Sequence, residues 1–487
     1  MVNQSQLRVV RTKPRVFIVS DISNEPDDAE SLVRYLLYSN EFDTRGLVAF
    51  HPEDMQKIVT AYSQVVDNLN RHAHPDNQYS PGDYFLGLIK SGPPMFGKEA
   101  LDPSVELSEG SQLLIDRLEE STDPLWVLCW GGTNVIAQAL QAAQQSMSVE
   151  DHKNFRSKLR IYAISDQDDT GVWIRANYPD IFYMNSIHGW NQYGLALWTG
   201  ISGDKYYGFD KGGPDFTKVS ADWIREHIQI GPLGQAYPDF MFIPEGDTPT
   251  FLYLIQNGLG SPEHPDWGSW GGRYLATDPS AAVRHYNDAT DMVVGQNGEK
   301  FLSNHATIWR WRDAFQNDFA ARIQWSLHDD ISKANHAPIA IVNGSTPGPE
   351  PVFLEAEAGT SIDLDALESF DPDGDELTFR WFHYKDVTAS QWNVDAEVVT
   401  VAFVDLEPAK PGRRIRAVLP PPEKCAVDMF TGKAQIKGQV MHFVLELSDS
   451  GTPSMTTYKR VVVQTTNKEL KGGRKAVESI AQVHTLE

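Results

Sequence analysis

A short acidic loop between a first strand and a first helix constrains this chain most strongly. Apolar residues 16–19 lead into a loop with four carboxylates within eight residues, and a helical pattern follows at 32–37. The four acids are Asp21, Glu25, Asp27 and Asp28. Like charges this close raise one another's pKa and destabilise a fold. Hard cations such as Ca²⁺ take oxygen ligands, so the loop predicts a metal or catalytic site. Helix capping, which needs only one or two carboxylates, is the alternative.

Strand-like and helical patterns alternate over the first 330 residues. This alternation predicts an α/β domain with a mostly parallel open sheet. Strands are predicted at 16–20, 46–50, 126–130, 159–165, 181–185 and 240–243, and a closing helix at 307–327. Polar loops at 131–134, 166–169 and 245–247 follow three of these strands, as the acidic loop follows the first. Parallel sheets bind ligands at these carboxyl ends, so we expect one acidic cleft.

The pattern changes near residue 334. Alternating strands are predicted at 361–364, 377–381, 440–447 and 458–464, which favours a smaller all-β Ig-like sandwich. The predicted domains are therefore residues 1–333 and 334–467, followed by a mobile tail at 468–487. The acidic turn at 371–375 looks like a calcium loop, but its glycine precedes the third acid, unlike an EF-hand. A tight turn is the preferred interpretation.

Composition limits the partners. The formal net charge is −24 and the pI is near 4.9, which disfavours nucleic acid and anionic membranes. It favours a neutral or cationic substrate, either a small molecule or an oligosaccharide such as an uncharged sugar. No apolar run approaches the roughly 18 residues of a membrane span. Two cysteines provide neither a disulfide framework nor a zinc site. The first 15 residues lack a signal-peptide pattern, so a cytoplasmic protein is expected, with a secreted, trimmed form as the alternative. The oligomeric state stays open.

On these motifs the amino-terminal part resembles the nucleoside hydrolase superfamily. Within it, the chain is most similar to nucleoside-hydrolase-like proteins described as cellulose-binding, which join this domain to an Ig-like sandwich. That superfamily opens with Asp-x-Asp-Pro-Gly-x-Asp-Asp, and residues 21–28 read Asp-Ile-Ser-Asn-Glu-Pro-Asp-Asp. The resemblance implies a Ca²⁺ site with Asp28 as bidentate ligand. Asp247, the main-chain carbonyl of Thr133 and Asp21 are the further ligands it implies.

The chain departs from the family motif at Ser23, where the family has an aspartate that binds metal and serves as the proposed base. A serine cannot act as that base, so Glu25 or Asp21 is predicted to supply the carboxylate. The resemblance implies that Asp27 contacts the sugar and orients it with the attacking water. His188 is a candidate leaving-group acid. The other candidates for that role, each of which is more readily a solvated or capping acid, are Asp166, Asp168, Asp169 and Glu245.

Polar and aromatic residues of these loops are the predicted substrate contacts. They are Asn24, Asn134, Asp166, Asp168, Trp190, Asn191, Glu245 and Trp270, with Trp267 as a further aromatic candidate. An indole face suits stacking on a sugar ring, although these tryptophans also suit a core under long loops. We therefore predict a calcium-dependent hydrolase of a glycosidic or N-glycosidic bond in a carbohydrate or furanoside. The alternative is a non-catalytic carbohydrate-binding protein, with binding in the cleft or, less favoured, at residues 381–384 of the sandwich.

Overall fold

The computed structural model describes residues 2–189, 191–278, 282–389, 394–428 and 431–473. The chain divides into two compact units. The α/β unit comprises residues 9–255 and 260–334, and the β unit comprises residues 1–8, 256–259 and 335–487. Of the mobile tail predicted at 468–487, residues 474–487 lie outside the described residues. Within the described part, no helix combines the length and the apolar character needed to cross a membrane.

The α/β unit contains strands β1 to β10 and helices α1 to α14. The strands are β1 Arg15–Ser20, β2 Asp43–Ala49, β3 Ile89–Ser91, β4 Leu125–Cys129, β5 Leu159–Ser165, β6 Phe182–Ser186, β7 Tyr274–Ala276, β8 His285–Asp288, β9 Asp291–Val294 and β10 Lys300–Ser303. The helices are α1 Asp27–Tyr38, α2 Pro52–Tyr62, α3 Val66–Arg71, α4 Gly82–Leu88, α5 Glu109–Glu119, α6 Asn134–Ser146, α7 Val149–Ser157, α8 Thr170–Asn177, α9 Asp204–Tyr207, α10 Ala221–His227, α11 Gly231–Gly234, α12 Pro249–Leu252, α13 Ala306–Trp309 and α14 Arg312–Leu327.

The main sheet has eight strands in the order β3-β2-β1-β4-β5-β6-β8-β7. Its pairs are parallel except for the antiparallel pair β7–β8. Strands β1, β4 and β5 are buried at every residue, as expected of parallel strands covered by helices on both faces. This confirms the α/β class with a mostly parallel sheet. It also brings the carboxyl ends of β1 to β6 to one edge of the sheet.

Two sequence predictions need correction here. Residues 240–243 form turns rather than a strand, and Met241 is 70% exposed. The proline residues Pro238 and Pro244 flank this segment, and they have no N–H groups for a strand ladder. The closing helix predicted at 307–327 is two helices, α13 and α14, separated at residues 310–311.

The β unit contains two antiparallel-rich sheets and three short helices. Its strands are β11 Val352–Glu357, β12 Ser361–Asp365, β13 Leu377–His383, β14 Ala402–Asp405, β15 Arg414–Val418, β16 Lys437–Asp449 and β17 Thr456–Thr466, and its helices are α15 Lys385–Thr388, α16 Val394–Glu397 and α17 Pro422–Cys425. One sheet has the order β11-β17-β16-β13 and the other β12-β15-β14. Buried side chains such as Leu364, Phe443 and Val461 form its core. The all-β prediction for this part of the chain is confirmed.

Candidate functional site

Three aspartates from two distant segments meet at the carboxyl end of β1. Asp27 and Asp28 lie in the first turn of α1, and Asp247 lies in the loop before α12. One carboxylate oxygen from each residue lies within 4.8 Å of the other two. Asp28 is 2% exposed and Asp247 is 1% exposed. We call these residues the acidic trio, and it unites three of the residues predicted for the metal site and its sugar contact.

Asp247 carries an unusual buried carboxylate. Neither of its oxygens has a hydrogen-bond partner among the described residues. Burial raises its pKa well above the ordinary value, and the charges of Asp28, Asp27 and Asp21 raise it further. A buried carboxylate without a partner is costly unless a proton or a cation neutralises it. The three carboxylates offer the oxygen donors that a hard divalent cation prefers.

The rest of the acidic loop supports the trio. Asp28 accepts a hydrogen bond from the Ser20 hydroxyl and shares another with Asp21. Burial also raises the pKa of Asp21. Burial, followed by the charges of Glu25 and Asp21, raises the pKa of Asp27 to about 7. Glu25 itself is exposed at the surface. Both residues predicted as alternative bases therefore lie beside the trio, with Asp21 the more enclosed of the two.

Ser23, where the resemblance implies an aspartate, is hydrogen-bonded to a neighbouring helix. Its φ of 86° lies in the left-handed region, which is uncommon for a residue with a Cβ. Its hydroxyl donates a hydrogen bond to Asp54 of α2. The Ser23 hydroxyl is therefore engaged by α2. The carboxylates available at this site are those of Asp21, Glu25 and the trio.

A cavity of about 590 Å³ opens at the carboxyl ends of β1 to β5. Four of the predicted site residues line it, namely Asp21, Asn24, Asn134 and Asp168. Asp168 is 3% exposed and accepts hydrogen bonds from the N–H and hydroxyl of Thr170. The loops that follow the parallel strands therefore meet at one acidic cavity, as expected from the sequence. Asp21 lines this cavity and also contacts Asp28 of the trio.

Other predicted acids have cationic partners. Asp166 is paired with Arg175 and also accepts a hydrogen bond from the Tyr183 hydroxyl at 3.0 Å. Glu245 is buried and paired with Arg34, with 2.6 Å between the guanidinium nitrogen and the carboxylate oxygen. Asp169 is exposed and paired with Lys98 at 3.2 Å. These pairs connect the three acids to cationic side chains of the surrounding segments.

The remaining predicted residues occupy varied positions. The Thr133 hydroxyl contacts Thr170 at 2.8 Å, while its carbonyl accepts the first helical hydrogen bond of α6, from Ala137. His188 is half-buried, and Asn191 is exposed in the loop after β6. Trp190 lies outside the described residues.

Both tryptophans predicted after residue 260 are buried. Trp270 is 1% exposed and contacts the Phe315 ring edge-on, with ring centroids 6.4 Å apart. Trp267 stacks on His264 at 4.2 Å. The structure thus places neither indole face at the surface, because the loop that carries them folds over the core.

Sequence reasoning missed an aromatic wall beside the acids. Tyr207 has its pKa raised to about 12 by burial first, and then by nearby groups that include Glu25 and Asp27. Burial and the charges of Glu25 and Asp21 likewise raise the pKa of Tyr193. The ring of Trp198 contacts Tyr193, with centroids 5.8 Å apart. These residues follow β6 in short helical turns, with Tyr207 in α9, and the turns are too short for a periodic pattern to mark them.

Comparison with known proteins identifies the family. Residues 15–274 match the model of the nucleoside hydrolase-like domain of cellulose-binding Sde182, and residues 361–465 match the C-terminal domain of cellulose-binding protein Sde0182. The chain belongs to this Sde182 family. A nucleoside hydrolase-related protein from Saccharophagus degradans, described as associated with carbohydrate metabolism, is 28% identical with a TM-score of 0.73. The match covers 93% of this chain and 100% of that protein.

Two further solved structures match the chain at low sequence identity. An inosine-uridine preferring nucleoside hydrolase from Bacillus anthracis is 12% identical over 65% of this chain and 100% of its own, with a TM-score of 0.34. The type III effector XopQ, solved with adenosine diphosphate ribose, is 12% identical over 65% of this chain and 95% of its own, with a TM-score of 0.32. No curated protein sequence matches the chain.

Proposed function

We propose that the cleft at the carboxyl end of β1 binds a carbohydrate together with Ca²⁺ and hydrolyses a glycosidic or N-glycosidic bond. The observation that carries this proposal is Asp247, whose two buried oxygens have no partner among the described residues and lie beside Asp27 and Asp28. The family's description as cellulose-binding supports a carbohydrate ligand. A net charge of −24 fits a neutral sugar better than an anion.

The residues present fit a hard cation. Asp28 and Asp247 are fully enclosed, and Asp27 completes a set of three oxygen donors. Asp21, hydrogen-bonded to Asp28, is a further carboxylate within reach of the same site. When bound, Ca²⁺ supplies a chelating centre for adjacent sugar hydroxyls and a water molecule.

The chain's own carboxylates supply the rest of the chemistry. Asp27, with its raised pKa, orients the sugar and the water, and Asp21 or Glu25 accepts the water's proton. Their negative charge favours the oxocarbenium-like charge that develops at the anomeric carbon. Burial raises the pKa of the Tyr193 and Tyr207 phenols, which lie close enough to these acids for the charges of Asp21, Glu25 and Asp27 to raise it further.

Calorimetric titration with CaCl₂ tests the metal site. We expect one binding site in the wild type and at least about tenfold weaker binding in Asp247→Asn, because one oxygen donor loses its charge. In EDTA the same variant should melt at an equal or higher temperature, since it removes an uncompensated buried charge. Asp222→Asn, at a position whose side chain is 97% exposed, is the matched control. Equal calcium binding by Asp247→Asn and the wild type, or none by either, contradicts the proposal.

A non-catalytic carbohydrate-binding protein is the second candidate. The observation that favours it is Ser23, which stands where nucleoside hydrolases have the aspartate proposed as the base. Its hydroxyl is hydrogen-bonded to Asp54. A panel of nitrophenyl glycosides, nucleosides and oligosaccharides separates the two functions. Turnover that Asp27→Ala abolishes supports the hydrolase. Saturable sugar binding without turnover of any member supports the binding protein.

A further inference from the structure

We infer that the cavity beside the acidic trio is a second sugar subsite, which holds the neutral ring linked to the sugar at the trio. This inference rests on the proposed carbohydrate function and deepens it, because it makes the substrate an oligosaccharide of at least two rings. Its starting point is the position of Asp21, which lines the cavity and is hydrogen-bonded to Asp28 of the trio. A ligand bound at the trio that extends past Asp21 therefore reaches into the cavity.

Part of the cavity lining is apolar. It comes from the segments that follow β2 and β3, and its residues are Phe50, Pro93, Pro94, Met95 and Phe96, with His51 beside them. Phe96 is 65% exposed and Phe50 is 54% exposed, although both line a concave site. Aromatic rings left open to solvent in a cavity are suited to the apolar C–H faces of a sugar ring.

Other lining residues supply polar groups. Asp21, Asn24 and Asp168 present oxygen and amide groups that can hydrogen-bond to sugar hydroxyls. No lysine or arginine is among the residues that line this cavity in the described part of the chain. A phosphorylated or carboxylated ligand would meet two carboxylates and no lysine or arginine there, so the charge pattern favours a neutral polyol.

The apolar wall is held in place before any ligand arrives. The Asn134 side-chain amide at the start of α6 donates a hydrogen bond to the Met95 carbonyl at 2.8 Å. The Asn134 side-chain oxygen accepts a hydrogen bond from the Val135 N–H at 3.0 Å. Asn134 thus acts as a positioning residue for the segment after β3 rather than as a ligand alone. A wall fixed in this way reduces the entropy cost of binding a second ring.

Titration calorimetry in saturating CaCl₂ tests the subsite, with glucose, cellobiose, cellotetraose and inosine as probes. We expect cellobiose to bind at least about tenfold more tightly than glucose. Phe96→Ala should remove most of that gain, because an aromatic contact contributes up to about tenfold in affinity, and should leave glucose affinity within about twofold. Phe216→Ala is the matched control, since Phe216 is 45% exposed in the same unit and does not line the cavity.

Three patterns of ligand affinity overturn the subsite. The first is equal affinity for glucose and cellobiose, and the second is an equal effect of Phe96→Ala on the affinities for both sugars. The third is an effect of Phe96→Ala on inosine affinity alone, which would indicate that this wall contacts a nucleobase. Calcium binding without binding of any saccharide also overturns it. Absence of both calcium and saccharide binding contradicts the proposed function itself. A melting temperature for Phe96→Ala within about 2 °C of the wild type shows that the variant is folded.

Discussion

At the scale of single residues, the site depends on how closely Gly246 and Asp27 approach each other. A Cβ atom at residue 246 would lie 2.6 Å from a carboxylate oxygen of Asp27 and 3.1 Å from the ring of Trp198. Such distances are too short for non-bonded atoms, so the carboxylate would have to move. The preceding residue, Glu245, has a positive φ of 61°, which shows that this loop is strained where it delivers Asp247.

Gly246→Ala is therefore expected to displace Asp27 from the trio. We predict at least about tenfold weaker calcium binding with little loss of stability, since the flexible end of an aspartate can move at small cost. Calcium titration combined with a thermal melt measures both effects. Gly87→Ala is the control, because no atom lies within 4 Å of a Cβ built there. Unchanged calcium affinity in Gly246→Ala would show that Asp27 does not bind the calcium ion.

The sequence identified acids at this scale but not their partners. Asp27, Asp28 and Asp247 were predicted from the acidic loop and the resemblance, and the structure brings them together. Asp166 and Glu245 looked equally suitable in sequence, yet each is paired with an arginine. Arg34 lies 211 residues from Glu245, and no local pattern connects residues at such a separation.

At the scale of elements, α1 carries both the site and its support. Its first turn provides Asp27 and Asp28, and the positive end of the helix dipole favours carboxylates there. One to two turns later, Arg34 is fully buried, bonded to Glu245 and placed over the Phe319 ring of α14, with 4.5 Å from the guanidinium carbon to the ring centroid. This ion pair joins α1 to the loop that delivers Asp247.

Arg34→Met should therefore destabilise the α/β unit strongly. Removing one partner leaves the Glu245 carboxylate buried without its cation, which costs about 3–5 kcal/mol. Denaturant unfolding measures the loss. Arg225→Met is the control, because its ion pair with Asp222 is exposed and such pairs contribute less than about 1 kcal/mol. A loss below about 1 kcal/mol in Arg34→Met would show that the pair is not a structural support.

Element prediction succeeded where burial alone decides the pattern. The central strands β1, β4 and β5 are apolar on both faces, so their sequences indicated their place directly. Both edges of the sheet were missed, because β3, β7 and β8 are short and partly exposed. Residues 240–243 had strand-like composition, but flanking prolines and outward-facing side chains exclude them from the sheet.

At the scale of the whole molecule, acid should weaken the α/β unit through a buried histidine. His305 is 5% exposed and stacks on Phe209, with ring centroids 3.7 Å apart. Burial lowers its pKa from 6.5 to about 4. The folded state therefore keeps a neutral imidazole, while the unfolded chain takes up a proton below about pH 6.5. The stability that His305 contributes is complete above that pH and is lost as the pH falls toward 4.

His305→Phe should reduce this acid sensitivity. The aromatic stack remains, but the titrating group is gone. Relative to the variant, the wild type should lose up to about 3 kcal/mol of unfolding free energy between pH 6.5 and 4. Urea unfolding at several pH values measures the difference, and His264→Phe, at a half-exposed position, is the control. Parallel pH profiles for the wild type and His305→Phe would contradict the prediction.

The amino-acid sequence by itself determined the fold class, the all-β character of the second unit and the acidic loop, because these depend on periodicity and on residues close together along the chain. Only the three-dimensional fold shows which acids have a cationic partner, since that depends on whether a distant arginine reaches each carboxylate. It also decided that open phenylalanines after β2 and β3 face the same cavity as Asp21. Sheet topology alone brings those loops together, and no local sequence pattern records it.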